Sequence, residues 1–277
     1  MSAARVGILI FPGTNSEDET LRACRAAGLD TALVHWNADI ESVRAFDAYV
    51  LPGGFAYEDR VRAGAIAAHD RLMSAVRDGA EDGKLVLGIC NGAQILLESG
   101  LAPQLDGTTR PQAGFARNAP LGKFRSTHVH VKLAIEPERC AITAGLPPGV
   151  VIPCWASHAE GRLAAHPDVL ARMEREGRIA FVYCDARGEP SSEAVPNGSA
   201  LGAAGIVNGR GNVLAIMPHP ERDAWTFMHH DAARERARGS ASAMLEPSGG
   251  IALFQGLAAA LAAPVRVPAA KREEGGR

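Results

Sequence analysis

The sequence predicts an α/β fold of the flavodoxin-like kind, a doubly wound and mostly parallel sheet with an antiparallel section added to it. Three observations lead there. Short apolar runs of strand length alternate with helical patterns through the first hundred residues. Those runs are apolar throughout, as strands covered on both faces must be. Glycine-bearing turns follow two of them, at Pro52-Gly53-Gly54 and around Cys90, where open α/β sheets bind their ligands.

The elements follow in order. Val6 to Phe11 reads as a buried strand, and Pro12 to Asn15 as the turn after it. Ser16 and Glu19 have the spacing of a capping box, opening a helix that turns Leu21 and Cys24 inward and stops at Gly28. Thr31 to Trp36 and Ala48 to Leu51 are further strands. Arg62 to Asp78 has apolar residues at helical spacing, Ile66, Leu72, Met73 and Val76, with stop signals at Gly79 and Asp82-Gly83. Leu85 to Ile89 is a strand, and Ala93, Leu96 and Leu97 restart the pattern at helical spacing.

After Leu101-Ala102-Pro103 the pattern becomes antiparallel in character. Phe124 to Ile135, Val150 to Trp155 and Ile179 to Tyr183 read as strands, with a helix over His166 to Glu176 and loops at Pro147 to Gly149 and Glu189 to Gly202. Ala203 to Asn208 and Asn212 to Met217 form a hairpin about Gly209-Arg210-Gly211. Arg234 to Arg238 reads as a solvated helix face. Ser248 can cap a last helix with Ile251, Leu253, Phe254, Leu257 and Leu261 inward. One domain over residues 1–263, with a C-terminal extension from about 223, and a disordered tail over 264–277 are expected.

The totals bound the function. With 277 residues, 47% hydrophobic, 22% charged and a net charge of −2, the chain has an ordinary globular composition and no basic bias toward nucleic acid. No run is long enough to span a membrane, and the N-terminus enters a strand pattern rather than a signal peptide, so a cytoplasmic protein is expected. Its five cysteines are scattered and odd in number, which suits reduced thiols rather than a disulfide framework or a zinc motif. His128 and His130 share a strand face, but no third ligand stands at matching spacing, so no metal is expected.

Cys90 lies at a strand-to-helix turn with Gly88 and Gly92 at minus two and plus two, the pattern of a nucleophile elbow. The helix N-terminus after it offers free N–H groups to a developing oxyanion. A buried structural cysteine is the competing reading. A thiol nucleophile also needs a base and an orienting partner. His219 and Glu221, two residues apart between prolines at a strand end, can lean the same way and supply both; a rigid polar loop is the alternative.

Gly88 to Gln94 together with Pro218 to Glu221 resembles the class I glutamine amidotransferases. Phe11 to Asn15, Leu51 to Phe55, Arg62 to Ala67 and Met217 to Arg222 are similar to members that serve purine biosynthesis. The resemblance covers about Val6 to Trp225. It implies that Cys90 attacks the side-chain amide of L-glutamine, that His219 is acid and base, and that Glu221 orients His219. It further implies an oxyanion hole from the N–H groups of Gly54 and Asn91, and substrate contacts from Gly53 and Gln94. His158 and Glu160 fall in a loop that faces the partner in the family, so they are interface candidates. The partner implied is a synthetase subunit that binds ATP and Mg²⁺, with a small bridging subunit in some complexes; no cofactor is expected on this chain. Ala93 departs from the phenylalanine usual at that place. Another cysteine hydrolase with an elbow and a silent glutamine-sensing module are the rival readings.

Overall fold

The computed structural model describes residues 4–232 and 244–263. Strands and helices alternate first: β1 (Arg5–Ile10), α1 (Glu17–Ala26), β2 (Asp30–His35), α2 (Ile40–Arg44), β3 (Ala48–Leu51), α3 (Leu72–Glu81), β4 (Leu85–Ile89) and α4 (Asn91–Glu98). There follow β5 (Gly114–Ala116), β6 (Arg125–Leu133), β7 (Val151–His158), β8 (Arg162–Ala164), α5 (Pro167–Arg175), β9 (Ile179–Cys184), β10 (Ala203–Val207), β11 (Val213–Ile216) and α6 (Ala252–Ala262).

Nine strands make one sheet in the order β2-β1-β3-β4-β11-β10-β9-β6-β7. From β2 to β11 the neighbours are parallel, and from β11 to β7 they are antiparallel. Every residue of β3, β4 and β11 is buried, as expected where both faces of a parallel sheet are covered. β7 instead alternates buried and half-buried residues, the mark of one covered face. The antiparallel part curls until β7 meets the chain just past β11: Trp155 and His219 exchange backbone hydrogen bonds of 3.2 and 2.8 Å.

The sheet class and the element order agree with the sequence reading, with local corrections. Arg62 to Arg71 is not α-helical but a run of turns with a short 3-10 helix over Ala67–His69, and α3 begins at Leu72. Gly64 has φ +78°, and a Cβ there would meet Ile95 N at 2.7 Å, so this stretch is a turn seated on α4. Gly79 does not stop α3 but lies inside it, because a Cβ would sit 2.7 Å from the Tyr49 ring. Ser16 holds the N-cap position of α1 without making the cap bond. Its hydroxyl accepts a hydrogen bond from Arg222 Nη2 at 2.8 Å instead, so the capping box does not form. Ser248 likewise donates to Asp223 Oδ1 at 2.9 Å rather than capping the turn that leads into α6. No helix among the described residues is long and apolar enough to cross a membrane. The expectations for Arg234 to Arg238 and for 264–277 lie outside the described residues.

Candidate active site

Three adjacent strand ends converge. β3 delivers Gly53-Gly54, β4 delivers Cys90 and β11 delivers His219, with Ile89 and Ile216 in register and Cys90 N–H bonded to Ile216 C=O at 2.8 Å. Sequence separation is large, yet the parallel pairing of β4 with β11 makes the neighbourhood unavoidable.

Cys90 has φ 52° and ψ −105°, a conformation that L residues reach only under constraint. The strain sits on the cysteine, and the flanking glycines serve a different need. A Cβ on Gly92 would collide with Leu51 C=O, and one on Gly88 would lie 2.6 Å from Leu96 Cδ1. Removing both side chains lets α4 rise directly off the sheet, so that Cys90 is held at its end. The thiol is buried and lies 3.7 Å from Ser157 C=O.

His219 and Glu221 are both buried. Nδ1–H of His219 donates to Glu221 Oε1 at 2.5 Å, which leaves Nε2 for the thiol. Burial alone would lower the imidazole pKa. The Glu221 carboxylate, with the charge and hydrogen bond of Cys90, outweighs it and raises the value to about 9. Gly53 gives the ring its room, since a Cβ there would strike His219 Cε1.

Gly54 and Thr14 form an isolated antiparallel bridge whose rungs are Asn15 N–H to Gly53 C=O at 3.1 Å and Phe55 N–H to Gly13 C=O at 2.9 Å. In such a pair the central residue's own N–H points away from the partner. With φ +154° and a would-be Cβ only 2.6 Å from Thr14 Cα, the position requires glycine. Asn91 is the first residue of α4, where a backbone N–H has no partner within the helix. Its side chain locks the same wall, accepting from Ala56 N–H at 2.9 Å and donating to Asp59 Oδ1 at 3.1 Å and Gln94 Oε1 at 2.8 Å. Gln94 in turn donates to Glu160 C=O at 2.6 Å. Its amide thus ties α4 to the loop after β7, with one donor and one acceptor position left over.

Glu160 stands half-buried, its Oε2 accepting Ala63 N–H at 3.1 Å. His158, however, is only 3% exposed, so its ring cannot meet a partner at the surface of this chain. Nδ1 contacts Asn118 Oδ1 at 3.2 Å and Nε2 has no partner among the described residues. Burial first and then the charge of His219 push its pKa down to about 4, so it stands beside the site as a neutral imidazole. Sequence reasoning missed Asp59, whose φ is 52° and whose carboxyl is raised to about 6 by burial and by Glu160, against the hydrogen bond from Asn91. Nothing in its local pattern announced it. It also missed Arg222, for which the adjacency to Glu221 was the available signal.

The family described as CobB/CobQ-like glutamine amidotransferase domain matches residues 3–257. The chain is 45% identical over 222 residues to a phosphoribosylformylglycinamidine synthase subunit PurQ of Rhodopseudomonas palustris, covering 80% of this chain and 90% of that one. A PurQ of Methanothrix thermoacetophila is 40% identical over 225 residues, covering 79% and 86%. Among solved structures, PurLQS from Thermotoga maritima aligns with a TM-score of 0.69 at 26% identity over 92% of this chain and 98% of that one. An elbow cysteine beside a buried His–Glu pair thus stands within a sequence that the family pattern spans almost end to end, and the chain belongs to the class I glutamine amidotransferases.

Proposed function

We propose that the chain is the glutaminase subunit of phosphoribosylformylglycinamidine synthase, acting in de novo purine biosynthesis. It hydrolyses L-glutamine to glutamate and ammonia and passes the ammonia to an ATP-dependent synthetase subunit, which converts formylglycinamide ribonucleotide to formylglycinamidine ribonucleotide. The single observation that carries the chemistry is the meeting of Cys90 with a His219 whose proton is held by Glu221 at 2.5 Å. The likeness to PurQ chains over most of their length supports the pathway.

The steps follow from the geometry. The Cys90 thiol passes its proton to Nε2 of His219 and its sulfur adds to the side-chain amide carbon of glutamine, the C=O π pair moving onto oxygen as negative charge. The N–H groups of Gly54 and Asn91 stabilise that oxyanion; one such donor is worth roughly 3–4 kcal/mol in comparable sites. His219 gives its Nε2 proton to the departing nitrogen, the C–N bond breaks, and ammonia leaves a γ-glutamyl thioester. Water then adds to the thioester carbon as His219 takes a proton from it. Collapse breaks the C–S bond, releases glutamate and returns the proton to the cysteine–histidine pair. Glu221 keeps the imidazole in one tautomer throughout. Gly53 and the remaining capacity of Gln94 are assigned to binding glutamine.

ATP and Mg²⁺ belong to the synthetase in this reading, and the amidotransfer chemistry on this chain uses neither. A small bridging subunit fits the three-part name PurLQS of the similar structure. Glu160, in the loop after β7, is the partner-facing candidate. Five unpaired cysteines suit a cytoplasmic setting. Co-purification with the synthetase, followed by an ammonia-release assay, tests the proposal. Glutamine hydrolysis is expected to be low alone, to rise with the synthetase, and to vanish in Cys90→Ala. Partner-stimulated ammonia release surviving in Cys90→Ala would sink the catalytic assignment. Capture of a synthetase from another pathway would sink the purine assignment alone.

A further inference from the structure

His128 meets the ring of His130 edge to face at 4.9 Å, but the three-ligand grouping does not include His130. The structure brings His128 instead to two histidines a hundred residues further on. Imidazole atoms of His128, His229 and His230 lie within 4.8 Å of one another, the one such group of three potential ligands among the described residues. The rings of His128 and His230 stack at 4.1 Å, and those of His128 and His229 meet edge to face at 4.8 Å.

The surroundings are those of a built site. Asp223 is fully buried and accepts from Nε2 of His128 at 2.7 Å and Nδ1 of His229 at 3.1 Å. Ser248 donates to its other oxygen at 2.9 Å. A carboxylate that takes one N–H from each of two imidazoles fixes both tautomers and leaves the second nitrogen of each ring as a lone-pair donor; this is how an outer-shell carboxylate prepares metal-binding histidines. Trp155 packs edge-on against His128 at 5.4 Å and donates Nε1–H to Met228 C=O at 3.2 Å, holding the chain just before His229. His230 is half open to solvent, and Asp231 Oδ2 lies 3.3 Å from its Nε2. Ligand atoms of a tetrahedral zinc site stand about 3.3 Å apart for bonds of about 2.0 Å, a closure that side-chain rotations can supply from the present spread.

We propose that His128, His229 and His230 bind one divalent transition-metal ion, zinc by preference, with Asp223 as the outer carboxylate. The fourth position falls to Asp231 or to water. Three imidazoles suit zinc and its borderline neighbours, whereas magnesium and calcium require oxygen ligands. The ion fastens the segment after the triad to β6. Because Asp223 shares a single turn with Glu221, it also braces the carboxylate that orients His219.

The test uses the full chain without a polyhistidine tag, stripped with chelator and titrated with Zn²⁺. Metal content and thermal unfolding are the readouts, and Co²⁺ serves as a spectroscopic stand-in. One equivalent of zinc is expected, with a rise in Tm of about 5 °C at a hundredfold excess over Kd. The visible spectrum of the Co²⁺ form should be that of a tetrahedral site. His230→Gln, at an exposed position that the fold does not depend on, should weaken binding at least tenfold, as should His229→Gln. Cys90→Ser should leave the stoichiometry unchanged. Failure to retain zinc would overturn the site. So would zinc held equally well by His230→Gln but lost in Cys90→Ser, since the ion would then be sitting on the thiol.

Discussion

Two histidine–carboxylate pairs stand side by side in this molecule, and the turn Glu221–Asp223 supplies both carboxylates. His219 meets Glu221 at 2.5 Å, and His128 meets Asp223 at 2.7 Å. Both carboxylates are buried and both imidazoles nearly so. What differs is the third member. The first imidazole has a strained cysteine on its far side, and the second has three more imidazoles around it, two of them in the grouping of potential ligands. A carboxylate fixes a ring's tautomer and orientation in either case; the group opposite the ring decides whether the result is proton transfer or metal ligation.

The largest effect that can test this difference is on the third member of the first pair. Cys90→Ala should lower partner-stimulated ammonia release by about 10⁴-fold or more, because no other group at the three strand ends can form the thioester. The same variant should leave zinc binding by the second cluster intact. Loss of both would mean that the two centres are one.

Next come the carboxylates themselves. Glu221→Gln should cost about 10²–10³-fold in kcat with a small change in KM, since an amide can hold the ring but cannot stabilise the imidazolium. Asp223→Asn should instead act on stability, by roughly 1–3 kcal/mol from the buried donors it disturbs, with less than a tenfold change in kcat. Steady-state kinetics beside thermal unfolding separates them. Equal kinetic damage from both would show that the turn works as one unit. A smaller and purely steric effect is expected at Gly53→Ala, where the added methyl group strikes His219 Cε1. A kcat loss of about tenfold with an intact fold is the expected result, and an unchanged kcat would mean that the ring has freedom the structure does not give it.

The first of the two centres was legible in the sequence because its parts are local. Gly88, Cys90 and Gly92 lie within five residues, and His219 and Glu221 within three, so period changes and fixed spacings reveal them. What joins the two stretches is the parallel pairing of β4 with β11, and the alternation of strands and helices already implied such a sheet. The second centre had no such signature. His128 sits in a strand whose neighbour at i+2 is only one of its ring contacts. The other two imidazoles arrive because Trp155 bridges to His219 and draws the segment after Asp223 over β6. The misplaced start of α3 has a similar origin: Ile66 to Val76 keeps helical spacing, but Gly64 must turn against α4 first, and tertiary contact overrides the local pattern. Gln94 and His158 illustrate a third limit, since motif likeness singled them out without saying what their side chains would bond.

The smallest effect is also the sharpest on the comparison, because it reads the His219 proton directly. The folded pKa of about 9 lies above the ordinary 6.5, burial working against the shift and Glu221 and Cys90 producing it. A group whose pKa is raised by folding contributes stability that is fully present below its unfolded value, here below about 6.5, and loses it as the pH rises through about 9. In the proposed mechanism the same proton is the one donated to the departing nitrogen, so kcat should fall about twofold by pH 9 and about tenfold one unit higher. Cys90→Ser removes one of the two charges that hold the proton, and the His219 titration, followed by NMR, should then move below 9. A His219 titration unmoved by Cys90→Ser, with the activity limb of the unsubstituted chain near 9, would assign the whole shift to Glu221. The thiol would then be a neighbour of the ring rather than its partner, which is the one point on which the two histidine centres are held to differ.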